Sequence, residues 1–260
     1  MAEFFTLEQL TDYLDGLLTP MLFDDYCPNG LLVDMGPECG NAPVRHVVTG
    51  VSLRKELIER ANEANADAII VHHPNGWWKS ESDKRVVGRT NAYLRQLVNS
   101  KIALLAYHLP LDALDVYGNN MSILHALNGN RDVCYRSFMD GVGRILDKST
   151  IITRKKLNAV FPHGVAIYGP FVDGKDYKRI AICSGSGSSG LSEALELGCD
   201  MFITGEVRES TPIFAEETGM VVVAAGHHRS EVFGVRNLAD LLNRQNRATT
   251  AEFIDIDNPV

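Results

Sequence analysis

The sequence Ala68-Ile69-Ile70-Val71-His72-His73 stops at Pro74. A short aliphatic run ended by proline is typical of a strand that is buried on both faces of an α/β sheet. Two further runs of this type lead into polar residues, within 102–108 and within 221–228. In open α/β sheets, ligands collect in the crevice beyond the carboxyl ends of the strands. The pattern therefore predicts an α/β fold that brings histidines from distant segments to one crevice.

The composition predicts a soluble, cytoplasmic protein. The 260 residues carry a formal net charge of −8, which argues against a nucleic-acid partner held by clustered Lys and Arg. We expect no membrane association, because no apolar stretch is long enough to span a bilayer and the N-terminus lacks the features of a secretory signal. The five cysteines form no CxxC pair and are typical of reduced thiols.

Strand-like and helix-like segments alternate along most of the chain. Residues 7–18 have helical spacing behind a capping Thr6, and Ser52 is a candidate cap for a helix over 53–64. We predict two α/β (α+β) domains with mixed, largely parallel sheets and helices on their faces. Residues 1–125 and 221–260 would form the ligand-bearing domain, and residues 126–220 would form an α+β domain inserted into it.

His72 and His73 are the first candidate metal ligands. Neighbouring residues on a regular strand point to opposite faces. At a strand end before proline that geometry relaxes, and each imidazole can contact a different metal ion of a pair. The alternative is that one or both are hydrogen-bonded core histidines.

The second group of candidates combines carboxylates with a histidine. His227 and Glu231 are four residues apart, so a helix beginning after Gly226 would place both on one face, where Glu231 can bridge two ions. Asp112 supplies a carboxylate from a loop held by Pro110. The alternatives are a solvated helix start for the pair and a turn or cap role for Asp112.

Together these residues suit a catalytic dinuclear centre with open positions for water. Water on such ions is hydroxide-like near neutral pH, which indicates hydrolysis. His108 is a candidate proton carrier or outer-shell partner of the site, or else a structural histidine. Zinc, iron, manganese and nickel all suit this ligand set: His72, His73, Asp112, His227 and Glu231.

Other polar segments allow two interpretations each. Glu206 follows a strand and either lines the same crevice or is a surface glutamate. The Ser/Gly loop 184–190 precedes a helix, as phosphate-binding loops do, but it lacks the P-loop lysine and is better explained as a tight connection. His228 would project away from the ligands. Trp77-Trp78 either packs in the core, which we favour, or stacks on a planar base.

Six ordered segments resemble the signatures of the Nif-three-like family, often labelled GTP cyclohydrolase I type 2. The resemblance covers essentially the whole chain, and its segments are YCPNGLLV (26–33), IIVHHPNGWW (69–78), AYHLPLDALDVYGNN (106–120), FITGEVRES (202–210), AAGHHRSEVFGVRNL (224–238) and FIDIDNP (253–259). Two positions depart from the family pattern. Leu114 stands where the family often has His, and residues 75–78 differ from its usual aromatic pattern.

The resemblance implies a dinuclear metal centre between two α/β domains in a toroidal homohexamer. It assigns two divalent ions per subunit to the ligand set already given. We predict a metal-dependent hydrolase acting on a small-molecule substrate, a nucleotide or related heterocycle, in which Glu231 bridges the ions and His108 transfers protons. The alternatives are a non-catalytic metal-delivery protein and a di-iron redox enzyme.

Overall fold

The protein is described by a computed structural model that covers residues 2–36, 39–77 and 85–260. The described chain forms two compact units. The first contains residues 2–111 and 235–256, and the second contains residues 112–234 and 257–260. The main segment of the second unit therefore lies, along the chain, inside the first.

The described helices are α1 (Leu7–Leu18), α2 (Lys55–Glu63), α3 (Gly88–Ser100), α4 (Leu109–Ala113), α5 (Asn119–Asn128), α6 (Arg154–Val160), α7 (Leu191–Glu196), α8 (Thr211–Thr218) and α9 (His227–Asn243). The described strands are β1 (Phe5–Thr6), β2 (Gly30–Val33), β3 (Pro43–Val44), β4 (His46–Ser52), β5 (Ala68–His73), β6 (Ala103–Ala106), β7 (Tyr135–Phe138), β8 (Gly143–Leu146), β9 (Thr150–Ile152), β10 (Ala166–Tyr168), β11 (Lys175–Tyr177), β12 (Ile180–Cys183), β13 (Met201–Thr204), β14 (Val221–Ala224) and β15 (Thr250–Phe253).

The first unit contains a mixed sheet in the order β15-β4-β5-β6-β2. Its first four strands are parallel, and β2 pairs antiparallel with β6. Every residue of β5 is buried, as the continuous apolar run predicts for a central strand. Helix α2 places Leu57 and Ile58 in the same core as Ile69 and Leu104. This packing fixes the carboxyl end of β5, where His72 and His73 lie.

The second unit contains a mixed sheet in the order β10-β14-β13-β12-β8-β7. Strands β12, β13 and β14 are parallel to one another, and the outer strands pair antiparallel. Strands β9 and β11 form a separate antiparallel pair. The prediction of an α/β protein with two mixed sheets and flanking helices is thus confirmed.

The boundaries of the two units differ from those expected from the sequence, which placed β14 and most of α5 in the first domain. In the structure β14 pairs with β13 of the second sheet. Leu124 of α5 and Val223 of β14 share the core of the second unit. An apolar run shows that a strand is buried, but it does not show which sheet the strand joins.

Two caps were predicted, and one of them is confirmed. The Thr6 hydroxyl accepts a hydrogen bond from the Gln9 amide, and the Gln9 side chain accepts one from the Thr6 amide, which forms a capping box at the start of α1. The assignment of Ser52 as a cap is wrong. Helix α2 begins after Arg54, and Ser52 is the last residue of β4. Among the described residues, no helix has the length and apolar character needed to cross a membrane.

Replacing Thr6 with alanine should lower the free energy of unfolding by about 1 kcal/mol, because an amide of the first turn of α1 loses its acceptor. Urea denaturation measures this change. Thr6→Ser keeps the hydroxyl and should stay close to the wild type. Equal stability of the alanine and serine variants would show that the capping box contributes nothing.

Candidate metal centre

Three buried histidines lie together in the first unit. His72 and His73 end β5, and His108 follows β6. Each offers one ring nitrogen, and these atoms lie within 4.8 Å of one another. The ring centroids of His72 and His73 are only 4.5 Å apart, so the two side chains do not diverge as they would within a regular strand. The expected relaxation at the strand end is therefore present.

Hydrogen bonds orient two of these rings. His72 Nδ1 lies 2.9 Å from the Tyr107 carbonyl oxygen. Because a carbonyl only accepts, Nδ1 carries the proton and Nε2 carries the lone pair. His73 Nδ1 lies 3.0 Å from the Ser52 hydroxyl, which is opposite it in the β4–β5 pairing. A serine at the end of the neighbouring strand was the available signal for this contact, and sequence reasoning missed it.

Asp112 lies in α4 within the second unit and is buried. Its Oδ1 accepts hydrogen bonds from Asn119 Nδ2 at 2.8 Å and from Ser184 Oγ at 3.0 Å. Asn120 Nδ2 donates to the Asp112 carbonyl, and Asn120 Oδ1 accepts from the Ser184 amide at 2.7 Å. Both asparagines are fully buried. They are the first two residues of α5, and sequence reasoning did not reveal that Asn119 holds the Asp112 carboxylate and Asn120 its main chain.

His227 and Glu231 lie on the first turns of α9, as the spacing of four predicts. His227 Nε2 is 3.2 Å from Glu231 Oε1, and His227 Nδ1 is 2.5 Å from Glu206 Oε1. Burial of the imidazole opposes its protonation, but the carboxylates of Glu231 and Glu206 outweigh that effect and raise the pKa of His227 to about 9. Glu206 is therefore a hydrogen-bonding partner of the His227 imidazole. This contact is closer to the interpretation of Glu206 as a crevice residue than to that of an isolated surface glutamate.

The Ser/Gly loop 184–190 supports these side chains. A β-carbon on Gly185 would meet the Glu231 carboxylate and the His227 ring, and the backbone there has a φ of +60°. Ser186 Oγ donates to Glu206 Oε2 at 3.1 Å. The Gly185 amide donates to the Ser230 hydroxyl. The loop is therefore a tight connection that leaves room for a carboxylate.

The remaining candidates from the sequence are His228 and the pair Trp77-Trp78. His228 is buried, and its backbone amide donates to the carbonyl of Val260. Trp77 packs against the core of the first unit, which agrees with the packing interpretation. Its neighbour Trp78 lies outside the described residues.

The donor sets of both units fit a divalent metal. The first unit offers clustered imidazoles, and the second offers carboxylates with an imidazole. Neutral imidazole and carboxylate are the ligands that zinc, iron, manganese and nickel accept. Gly185 is a second observation that fits a metal, because a side chain at this position would crowd Glu231 and His227. The buried His, Asp and Glu clusters are consistent with a metal site.

Comparison with known proteins shows similarity over the whole chain. The sequence profile of Duf34/NIF3 (NGG1p interacting factor 3) matches residues 5–259. A "GTP cyclohydrolase 1 type 2 homolog" from Vibrio cholerae is 34% identical, with 97% of this chain and 98% of that protein covered. Among solved structures, the protein ybgI, titled as of unknown function, has a TM-score of 0.85 at 34% identity, covering 98% of this chain and 100% of that one. TTHA1606 from Thermus thermophilus has a TM-score of 0.83 at 27% identity, with the same coverage.

The pKa of His227 predicts a pH dependence for the metal-free protein. A folded-state pKa of about 9, above the ordinary value of 6.5, stabilises the fold fully below pH 6.5, and that contribution is lost as the pH rises through about 9. Urea denaturation in the presence of a chelator should show this decline. His227→Gln should flatten it, whereas His163→Gln, at an exposed site, should not. An unchanged slope in the His227 variant would contradict the assignment.

Proposed function

Because the chain belongs to the Duf34/NIF3 family, we propose that it binds two divalent metal ions and hydrolyses a nucleotide or related heterocycle. The name of its relatives, GTP cyclohydrolase 1 type 2 homolog, supports this reaction class. The observation that carries the proposal is the set of buried His, Asp and Glu clusters, in each of which the ligand atoms lie within 4.8 Å of one another. The proposed ligands are His72 and His73 of the first unit and Asp112, His227 and Glu231 of the second.

The contacts of these residues suit ligands that are held ready for metal. The Tyr107 carbonyl fixes the His72 tautomer with Nε2 as the donor atom. Asn119 and Ser184 occupy one oxygen of Asp112 and orient the other. A bound divalent ion would supply Lewis acidity and lower the pKa of water to near neutrality.

The chain's own residues would manage the protons of the reaction. Hydrolytic opening of the guanine imidazole ring forms a C8–O bond and breaks the C8–N9 bond, so the two protons of the attacking water must be transferred to N7 and N9. His108 is the group we assign to this transfer, since it is buried beside the proposed ligands His72 and His73. Glu231 would bridge the two ions with its two carboxylate oxygens.

Asp112→Ala should abolish turnover and lower metal content, because it removes a proposed ligand. Metal analysis of anaerobically purified protein and a nucleotide panel scored for ring opening and phosphate release measure both effects. Asp115→Ala is the matched control, since that carboxylate is 59% exposed and pairs with Arg144. The control should keep both properties.

Three other results would replace the proposed hydrolase function with another one or rule it out. Unchanged turnover in Asp112→Ala would rule out hydrolysis at this site. Full metal occupancy without turnover on any nucleotide, together with transfer of the ion to an acceptor protein, would favour the metal-delivery role. Iron with a redox-dependent absorption spectrum would favour the di-iron enzyme.

Glu206→Gln should weaken metal binding by about 10–100-fold, the usual effect of removing the carboxylate that orients a ligating histidine. Competition with a chromogenic chelator gives the dissociation constants. Glu209→Gln changes an exposed carboxylate three residues away and should bind metal as the wild type does. If the two variants bind equally well, Glu206 has no part in holding the ligand.

A further inference from the structure

The segment 24–29 ahead of β2 contains a carboxylate that no mechanism above uses. Asp25 is only 2% exposed. Its Oδ1 accepts hydrogen bonds from His108 Nδ1 and from the Cys27 amide, both at 2.9 Å. Its Oδ2 accepts from the Leu109 amide at 2.9 Å and from Asn29 Nδ2 at 3.0 Å. Four donors converge on one buried carboxylate.

These contacts fix the protonation pattern of the His108 ring. An ionised carboxylate only accepts hydrogen bonds, so His108 Nδ1 must carry a hydrogen. Although burial raises the pKa of Asp25, the hydrogen bonds from His108, Cys27 and Asn29 outweigh it and lower the pKa to about 2. The carboxylate is therefore ionised throughout the physiological range.

The contact on the other side of the ring is compatible with the same tautomer. The Tyr26 hydroxyl lies 3.5 Å from His108 Nε2, at the outer limit of a hydrogen bond. A phenol both donates and accepts, so it can donate to Nε2 when the hydrogen is on Nδ1. Tyr26 is 64% exposed, and its ring meets the His108 ring edge-on at 5.0 Å. Nε2 therefore lies on the side of the ring next to the exposed Tyr26.

The backbone of His108 is held as well. Its amide donates to Asn29 Oδ1 at 2.7 Å, while Asn29 Nδ2 donates to Asp25. Segment 24–29 therefore binds the main chain and the ring of His108 at once. The Asp25 carboxylate accepts from Cys27 and Asn29 within its own segment, and from His108 and Leu109 in the segment that follows β6.

We propose that Asp25 is the positioning residue of His108: its carboxylate holds the ring as the Nδ1–H tautomer and makes Nε2 the working nitrogen of the site. The proposal rests on the proposed function in one respect, since proton transfer by His108 was assigned there. In the serine-protease triad a buried aspartate positions its histidine in this way, and replacing it with asparagine leaves the wrong tautomer.

The test uses the full-length, metal-free protein labelled with ¹⁵N-histidine, because imidazole nitrogen shifts in NMR spectra distinguish protonated from unprotonated nitrogens. The His108 signals are assigned by their loss in His108→Gln. We expect a protonated Nδ1 and an unprotonated Nε2 in the wild type. A protonated Nε2 with an unprotonated Nδ1 there would overturn the proposal, and this outcome does not depend on whether any variant folds.

Two variants and one control identify the group that sets the tautomer. Asp25→Asn can present an amide N–H to Nδ1 and should shift the hydrogen to Nε2. Tyr26→Phe keeps the ring and should leave the tautomer unchanged, as should Asp24→Asn, which removes a neighbouring exposed carboxylate. Retention of the wild-type pattern in a folded Asp25→Asn protein would overturn the proposal.

Turnover separates this inference from the proposed function. If the wild type hydrolyses a nucleotide, Asp25→Asn should lower kcat by about 10⁴-fold with little change in KM, as in the triad precedent. A kcat within twofold of the wild type would overturn the positioning role. If the wild type turns over no nucleotide, the hydrolase assignment fails, while the NMR spectra still decide the tautomer.

Discussion

Burying an imidazole or a carboxylate costs free energy unless protein atoms complete its hydrogen bonds. This constraint shapes the strand ends of both units. In the first unit, the Tyr107 carbonyl and the Ser52 hydroxyl hold the two histidines of β5. In the second, Asn119 and Ser184 hold Asp112. The polar groups that meet this cost also fix ring and carboxylate orientations, so ligand geometry is set before any ligand binds.

Much of this arrangement follows from sequence pattern. Aliphatic runs that end in His predict buried strands, and the spacing of four between His227 and Glu231 predicts their shared helix face. Those features are local, so periodicity is sufficient to find them. The contacts of Asp25, Ser184 and Ser52 are not local, because their partners are 83, 72 and 21 residues away, respectively. Short polar side chains in turns and helix starts look alike whether they bind solvent or a distant ligand.

The anchoring of the proposed ligands bears on the choice between a resident and a transferred metal. A delivery protein has to release its ion, which is easier when ligands can move away from it. Here His72 is held by a main-chain carbonyl and Asp112 by two side-chain donors. Removing such ligands from an ion would break several hydrogen bonds together. These hydrogen bonds therefore support the proposed resident ion over the metal-delivery alternative.

The two histidines of β5 are tied to different neighbouring strands, His73 to the end of β4 and His72 to the residue after β6. A single-residue insertion or deletion within any of these three strands would shift one partner and turn the following side chains to the opposite face. In this chain, changes of length are therefore better tolerated in the connecting segments than in these strands. The hydrogen bonds of the two adjacent histidines are thus compatible with only one length for each of the three strands.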